Sequence, residues 1–215
     1  TDGGIRFLAP TIDAECRFLA GRYSLSVGVG TLLLAEEGAS TWNRFPLIGP
    51  DRRVVGLTER GAIVTNVFWL SPDSGQARWI SESIEVDGGI VFDDDGALAG
   101  ATVSAVATNG VSAGFLYRGS TAFPTHLAVW TTVTARPKTI VVQSSSRALG
   151  IAAVGLAGEL CGSVSVGGPS TAFLLGSGFR SPLLAADLGL PEGLICAGVV
   201  QRDAYLLSSP RGPSQ

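Results

Sequence analysis

Charged side chains are scarce in this chain. They make up 15% of its 215 residues, against roughly 25% in an average soluble domain. Ladders of glutamate and lysine, which stabilise exposed helices, are absent. The 29 glycines, with many alanines, serines, threonines and valines around them, suit short strands and tight turns better than long helices. The composition therefore predicts an all-β protein.

Other features are also missing, and each excludes a class of protein or partner. No apolar run approaches the roughly 18 to 20 residues that cross a bilayer, so we expect no membrane insertion. The net charge is −3 and neither end carries a basic arm, so we expect no nucleic-acid partner. Methionine is absent, which predicts a mature product or an excised domain.

The cysteines Cys16, Cys161 and Cys196 are far apart in the sequence. No CxxC or CxH pattern is present, so we expect no metal site, and no motif indicates a cofactor. Cys161 and Cys196 lie in apolar surroundings, where free thiols behave as small hydrophobic side chains. We therefore expect three reduced thiols. The alternative is one disulfide with one free thiol, which would imply an oxidising compartment.

Short apolar runs separated by turn formers continue along the whole chain. Roughly fifteen such runs, with almost no helical periodicity between them, predict an antiparallel sandwich or barrel of jelly-roll type with at most one or two short helices. We expect a single domain over residues 1–207 and a loose tail over residues 208–215. The clearest turn signals are Ser71–Gly75, Asp87–Gly89 and Asn109–Gly110.

Some segments are harder to assign from their local pattern. Ala62–Leu70 is predicted to be one strand, because β-branched and aromatic residues fill it. Leu149–Val166 is predicted to form two strands, although its alanines and leucines would permit a helix in its first part. Pro182–Leu190 is the best helix candidate. A helix over Ile12–Ala20 competes with a strand.

A weak internal echo links residues 96–110 with residues 155–168. Both segments are rich in glycine, alanine and valine, and composition alone could produce the similarity. The period is too poorly defined to predict a repeat architecture.

Candidate catalytic residues exist, but no motif arranges them. His126 is the one histidine, so any histidine-assisted mechanism must use it. A serine hydrolase or protease would combine it with a nearby serine and a carboxylate from Asp93–Asp95, or would pair a serine with Lys138. The candidate serines are Ser104, Ser112 and Ser120. None of them lies in a GxSxG elbow, and a structural histidine and a solvated lysine are the favoured interpretations.

Aromatic side chains could line a glycan or peptide groove by stacking. We predict that most of the aromatic residues lie in the core. Trp42 is the exception, because it lies in a loose segment rich in turn formers, and we expect it at the surface as a receptor or ligand contact.

Low charge, glycine-rich turns and small apolar residues predict a structural domain that buries part of its surface against copies of itself. The leading hypothesis is a viral coat, spike or fibre-head subunit that forms homo-oligomers in a virion or outside the cell. Residues 38–60 and 119–125 would then make contacts or meet a cell-surface receptor or glycan. The alternatives are a serine hydrolase or protease on a β-barrel, using His126 or Lys138, and a carbohydrate- or peptide-binding sandwich.

Overall fold

The computed structural model describes residues 17–28, 31–46, 53–81, 85–86, 89–90, 92–93, 96–118, 124–132, 135–141, 147–166, 170–178, 182–191, 194–200 and 203–208. Strands dominate these residues, and their helical content is limited to short 3₁₀ turns. Every described strand pair is antiparallel. The prediction of an all-β antiparallel fold is confirmed.

The strands are short and follow one another closely along the chain. The first eight are β1 (Arg17–Ala20), β2 (Tyr23–Gly28), β3 (Thr31–Glu36), β4 (Asn43–Pro46), β5 (Val54–Leu57), β6 (Ile63–Thr65), β7 (Phe68–Leu70) and β8 (Ala77–Trp79). The next seven are β9 (Glu85–Val86), β10 (Gly89–Ile90), β11 (Phe92–Asp93), β12 (Gly96–Val106), β13 (Ser112–Arg118), β14 (His126–Trp130) and β15 (Lys138–Val141). The last six are β16 (Arg147–Val154), β17 (Leu160–Val166), β18 (Thr171–Leu175), β19 (Leu183–Leu184), β20 (Leu194–Val200) and β21 (Asp203–Ser208).

Each sheet is a meander whose strand order follows the chain. Sheet A contains β1 to β4, sheet B contains β5 to β8 and sheet D contains β16 to β19. Sheet C contains β12 to β15, and the two-residue strand β11 pairs with the free side of β12, so β12 is called the first strand of sheet C. Two further hairpins are formed by β9 with β10 and by β20 with β21, and the second of these is called hairpin E. The predicted turns Ser71–Gly75 and Asn109–Gly110 each connect paired neighbouring strands. In the turn predicted at Asp87–Gly89, residues 87 and 88 lie outside the described residues.

Sheets B, C and D begin with the same hairpin. The turns between their first two strands end on Gly61, Gly110 and Gly158, whose φ angles are 76°, 93° and 93°. In each turn the glycine N–H donates to the carbonyl three residues earlier. Glycine adopts such a positive φ without steric strain, which explains its place at the end of each turn. Because Gly61, Gly110 and Gly158 are 49 and 48 residues apart, the chain contains a structural repeat.

A β-bulge in the first strand belongs to the same repeat. The register of the first hairpin skips Val55 in sheet B, Ser104 in sheet C and Ala152 in sheet D. Hairpin E has the corresponding shift at Ala197. A bulge bends its strand and changes the direction of the side chain at that point. Hairpin E therefore has the geometry of the first half of a further sheet.

The internal similarity between residues 96–110 and 155–168 does not match the period of this structural repeat. Residues 96–110 cover β12 and the turn after it. Residues 155–168 begin one step later, at the turn that follows β16, and continue into β17. The two segments are not equivalent in the fold, because one is centred on a first strand and the other on a second strand.

Consecutive sheets pack face to face. The first strands contact one another in sequence: β1 with β5, β5 with β12, β12 with β16, and β16 with β20. This is the packing of a sandwich repeated from sheet to sheet, as in the blades of a β-propeller. Hydrogen bonds also join neighbouring turns, since the Glu59 N–H donates to the Thr108 carbonyl at 2.8 Å and the Asn109 side chain donates to the Leu156 carbonyl at 2.9 Å.

Apolar clusters fill the spaces between the sheets. The cluster between sheets A and B includes Leu25, Leu32, Leu34, Phe45, Leu57, Ile63, Phe68 and Leu70. The cluster between B and C includes Val64, Trp69, Val103, Leu116, Ala128 and Trp130. The cluster between C and D includes Ala113, Phe115, Leu127, Val129, Leu160, Phe173 and Leu175. Neighbours in one strand enter different clusters, so sheets B and C are apolar on both faces.

One predicted strand is in fact two. Ala62–Leu70 forms β6 and β7, with a tight turn at Asn66 and Val67. The Thr65 hydroxyl accepts hydrogen bonds from the N–H groups of Val67 and Phe68 at 3.3 and 3.0 Å. It also lies 3.1 Å from the Phe68 carbonyl, to which it donates. The prediction is wrong because a threonine side chain makes this turn without glycine or proline.

The helix predicted over Pro182–Leu190 is also wrong. This segment forms β19 and a single 3₁₀ turn at Ala186–Leu188. The Ala185 N–H donates to the Ala172 carbonyl at 2.8 Å, so the backbone is tied to the neighbouring strand rather than to a helical turn. Within the described ranges, no helix combines the length and the apolar character needed to cross a membrane.

The remaining ambiguous segments are strands where they are described. Arg17–Ala20 forms β1, so this part of Ile12–Ala20 is not helical, and residues 12–16 lie outside the described residues. Leu149–Val166 contributes to β16 and β17, which confirms the prediction of two strands. β4 has no counterpart among the predicted strands. Ser208, predicted to begin the tail, ends β21, and residues 209–215 lie outside the described residues.

A disulfide joins sheet D to hairpin E. Cys161 in β17 is bonded to Cys196 in β20, with their Cα atoms 5.9 Å apart, and both residues are buried. The expectation of three reduced thiols is wrong, because the packing of β20 on sheet D brings together two residues that are 35 positions apart. Cys16 lies outside the described residues.

A glycine substitution tests the register of sheet C. Gly114 pairs with Val103, and an added Cβ would overlap the Thr102 carbonyl group. We expect Gly114→Ala to lower the free energy of unfolding by about 1 to 3 kcal/mol, measured by urea denaturation. The control is Gly176→Ala, where an added Cβ meets no atom within 4 Å and we expect a change below about 0.5 kcal/mol. Equal stability of the two variants would contradict the pairing of β12 with β13.

Removal of the disulfide tests the attachment of hairpin E. For a loop of this length, we expect the double variant Cys161→Ser, Cys196→Ser to lose roughly 3 to 4 kcal/mol of unfolding free energy. Alkylation of the denatured protein, read by mass spectrometry, should modify only Cys16 before reduction and all three cysteines after it. Full alkylation without a reductant would contradict the bond.

Candidate functional site

His126 is part of the interior. It begins β14 and only 2% of its surface is exposed. Its Nδ1 atom lies 2.9 Å from the Thr125 hydroxyl, and that hydroxyl donates to the Leu116 carbonyl at 3.2 Å. The geometry is that of a structural histidine held within a sheet.

Ser112 is fully buried as well. Its hydroxyl donates to the Gly110 carbonyl at 3.1 Å, and the Trp69 indole N–H lies 3.5 Å from its oxygen. A nucleophilic serine needs a base within about 2.6 to 3.2 Å and access for the substrate. The described surroundings of Ser112 supply a turn carbonyl and an indole instead.

The register of sheet C separates the two residues along the strands. His126 is paired with Leu116, whereas Ser112 is paired with Trp130 at the other end of the same strand pair. Four residues of a strand span about 13 Å. The structure therefore does not bring His126 and Ser112 within hydrogen-bonding distance.

Lys138 is exposed at the start of the edge strand β15. It is paired with Val129, which in turn is paired with Ala113. Ser112 is the neighbour of Ala113 in β13, so its side chain leaves the opposite face of the sheet from that of Lys138. A dyad of Ser112 with Lys138 is not formed.

The other residues considered for catalysis are placed only in part. Ser104 occupies the bulge of β12. Ser120 and the side chains of Asp93–Asp95 lie outside the described residues. Within the part of the chain that is described, no three His, Cys, Asp or Glu side chains are grouped so that they could hold a metal ion.

The tryptophans divide into a buried pair and an exposed pair. Trp69 and Trp130 are buried and meet edge to face between sheets B and C, with ring centroids 6.2 Å apart. Trp42 is 50% exposed, which agrees with the surface position predicted for it, and it directly precedes β4. Trp79, in β8, is 40% exposed and packs edge to face on Phe68 at 5.9 Å.

Exposed apolar side chains concentrate at one edge of the sheets. We call outer edge the edge opposite the first strand, which is formed by β4, β8, β15 and β19 in sheets A to D. The large exposed hydrophobic residues on these strands, or next to them in the chain, are Trp42, Trp79, Leu183, Leu188 and Leu190. Leu156 is exposed in a turn instead, and Leu19 and Ile195 are exposed on the first strands β1 and β20.

A cavity of about 370 Å³ lies where the first strands of sheets A to D meet. Its apolar wall includes Leu19, Val55 and Ile151. Arg53 is the one charged residue among the described residues that line it, and Ser104 and Thr108 are the lining residues that carry a hydroxyl group. A second cavity of about 500 Å³ lies beside the Ser71–Gly75 turn of sheet B.

Comparison with known proteins adds no relative. No protein-family model, no curated protein and no solved structure matches the chain. Function must therefore be argued from the geometry of the chain itself.

The sequence pattern does not predict the positions of two residues, the exposed Trp79 and the cavity-lining Arg53. Trp79 lies in β8, and its place on an edge strand explains its exposure. Arg53 comes just before β5, and nothing in its neighbours shows that four first strands converge there. Both positions depend on how sheets are arranged, which a local pattern does not report.

A serine-directed probe tests the separation of the candidate catalytic residues. We expect a fluorophosphonate reagent to leave Ser112 unlabelled in the native protein, because the residue is buried and lies about 13 Å along the sheet from His126. Mass spectrometry of the treated protein locates any adduct. Stoichiometric labelling of Ser112 that is lost in His126→Ala would contradict this geometry.

Proposed function

We propose that the protein is a structural subunit without catalytic activity that assembles into homo-oligomers through the outer edges of its sheets. The proposed setting is a virion or the extracellular space, as a coat, spike or fibre-head subunit. Trp42 is proposed as a contact with a neighbouring copy, a cell-surface receptor or a glycan.

The observation that carries this proposal is where the exposed apolar side chains lie. Neighbouring sheets of the same chain already cover both faces of sheets B and C. Trp79 and Leu183 are nevertheless 40% and 46% exposed at outer edges. Because a large apolar side chain exposed on an edge strand favours association with another chain, these edges support assembly.

The outer edges differ in how well they are protected from pairing. In β4, Arg44 is exposed and Pro46 removes a backbone donor, and in β15 Lys138 is exposed. Charged residues and proline on an edge strand oppose pairing with another strand. β8 and β19 instead expose Trp79 and Leu183, and Arg78, the charged residue of β8, is only partly exposed. We therefore assign self-association to the outer edges of sheets B and D.

The disulfide supports an extracellular or virion setting. Cys161 and Cys196 are bonded across the interface between sheet D and hairpin E. Structural disulfides persist in oxidising compartments and are rare in reducing ones. The bond supports that part of the proposal independently of the outer edges.

A second candidate function is the binding of a glycan or a peptide. The observation that favours it is the exposure of Trp42 beside an edge strand, since an exposed indole can stack on a sugar ring or a peptide side chain. Glycan-array binding that is lost in Trp42→Ala would favour this function. The geometry of His126, Ser112 and Lys138 gives no comparable support to a serine hydrolase.

Light scattering tests self-association. We expect wild-type protein to have a concentration-dependent mass above that of one chain, and the double variant Trp79→Ser, Leu183→Ser to shift towards the monomer. Removing one buried interface anchor typically weakens association about tenfold. The matched control is Leu156→Ser, because Leu156 is 61% exposed but lies in a turn away from the outer edges.

Two outcomes would contradict the proposal. One is a wild-type protein that stays monomeric at the highest concentration attainable. The other is an oligomer that Leu156→Ser weakens as much as the outer-edge variant does. Circular dichroism of each variant shows whether the fold is retained, and Leu183→Ser alone provides a variant that leaves the packing of Trp79 on Phe68 intact.

A further inference from the structure

We infer that the cavity between the first strands of sheets A to D binds a small amphipathic carboxylate, with its acid group at Arg53 and its aliphatic body against the apolar wall. This cavity is separate from the outer edges, so the site does not depend on self-association.

The cavity has the size and the lining of a small-molecule site. Its volume of about 370 Å³ falls at the lower end of the range of roughly 300 to 1,000 Å³ for ligand pockets. Apolar side chains dominate such pockets, and a few polar groups orient the ligand. The six residues that define this mixture are Leu19, Arg53, Val55, Ser104, Thr108 and Ile151.

The β-bulges place side chains in the cavity wall. Val55 is the residue skipped by the register of sheet B, and Ser104 is the one skipped in sheet C. Both line the cavity. Bulges recur next to functional sites because they change the direction of a side chain without ending the strand. The repeat thus brings an apolar group from one sheet and a hydroxyl from the next to the same space.

Arg53 is positioned as an anchor for an anion. Its N–H donates to the Asn66 side-chain oxygen at 3.0 Å, and the Asn66 N–H donates to its carbonyl at 3.0 Å. These two bonds fix the backbone of Arg53, which lines the cavity and is exposed to solvent. A guanidinium is always charged and matches a carboxylate with two parallel hydrogen bonds.

The apolar residues of the cavity wall suit an aliphatic chain as the rest of the ligand. Leu19 is 47% exposed, although it lies on the first strand of sheet A, which contacts β5 of sheet B. Val55 and Ile151 are partly exposed to the same space. An unbranched aliphatic chain would cover this surface, while the hydroxyls of Ser104 and Thr108 could donate to the second carboxylate oxygen. No anionic side chain among the described lining residues opposes the acid group.

Titration calorimetry with hexanoate, and with 1-hexanol as its uncharged analogue, tests the site. We expect saturable hexanoate binding to wild-type protein and about tenfold weaker binding to Arg53→Gln, because the charge-assisted pair is lost. Hexanol binding should be the same in both proteins. The control Arg44→Gln changes an exposed arginine that does not line the cavity, and it should bind hexanoate like the wild type.

A second variant keeps the test decisive if Arg53→Gln fails to fold. Ser104→Leu should fill part of the cavity without removing the charge, and it should weaken hexanoate and hexanol alike. The inference is overturned if wild-type protein shows no saturable hexanoate binding, or if Arg53→Gln binds hexanoate as tightly as wild type while circular dichroism shows an intact fold.

Discussion

The sheets of this protein are apolar on both faces, and the architecture follows from the need to cover both. In β6 and β7 the side chains alternate between two clusters: Ile63 and Phe68 face sheet A, whereas Val64 and Trp69 face sheet C. A lone sheet of this kind would leave one apolar face in water. The stacking of consecutive meanders covers both apolar faces within one chain. Because few strand positions then face solvent, few of them need charged side chains, which agrees with the low charge content.

Local signals in the sequence are sufficient to predict the strands and most turns, but they do not predict how the sheets are arranged. Asn109–Gly110 and Ser71–Gly75 predict turns because proline fixes φ and glycine permits the positive φ that Gly75 and Gly110 adopt. The turn after Thr65 escapes prediction, because it depends on a hydroxyl that binds two backbone N–H groups. The helix predicted over Pro182–Leu190 fails for a related reason, since pairing with β18 overrides its helical composition.

The repeat and the candidate sites are set by contacts between segments that are distant in sequence. The glycines at 61, 110 and 158 are visible in the sequence, but their equivalence becomes clear only from the matching turns and bulges. For the same reason Arg53, which carries the proposed ligand site, has no local signature. His126 and Ser112 have the chemistry of catalytic residues, and pairing with opposite ends of a strand pair separates them. The functional proposals therefore rest on edges and on the cavity, which are properties of the assembled sheets.

The face-to-face packing of sheets B and C can be tested in solution through the contact between two tryptophan rings. Trp69 lies in β7 and Trp130 in β14, and their rings meet edge to face with centroids 6.2 Å apart. Nuclear Overhauser effects between the ring protons of the two indoles measure this contact in solution. Face-to-face packing predicts cross-peaks between Trp69 and Trp130 in the folded protein, and their loss on unfolding. A folded protein in which each indole shows cross-peaks only to residues of its own sheet would contradict it.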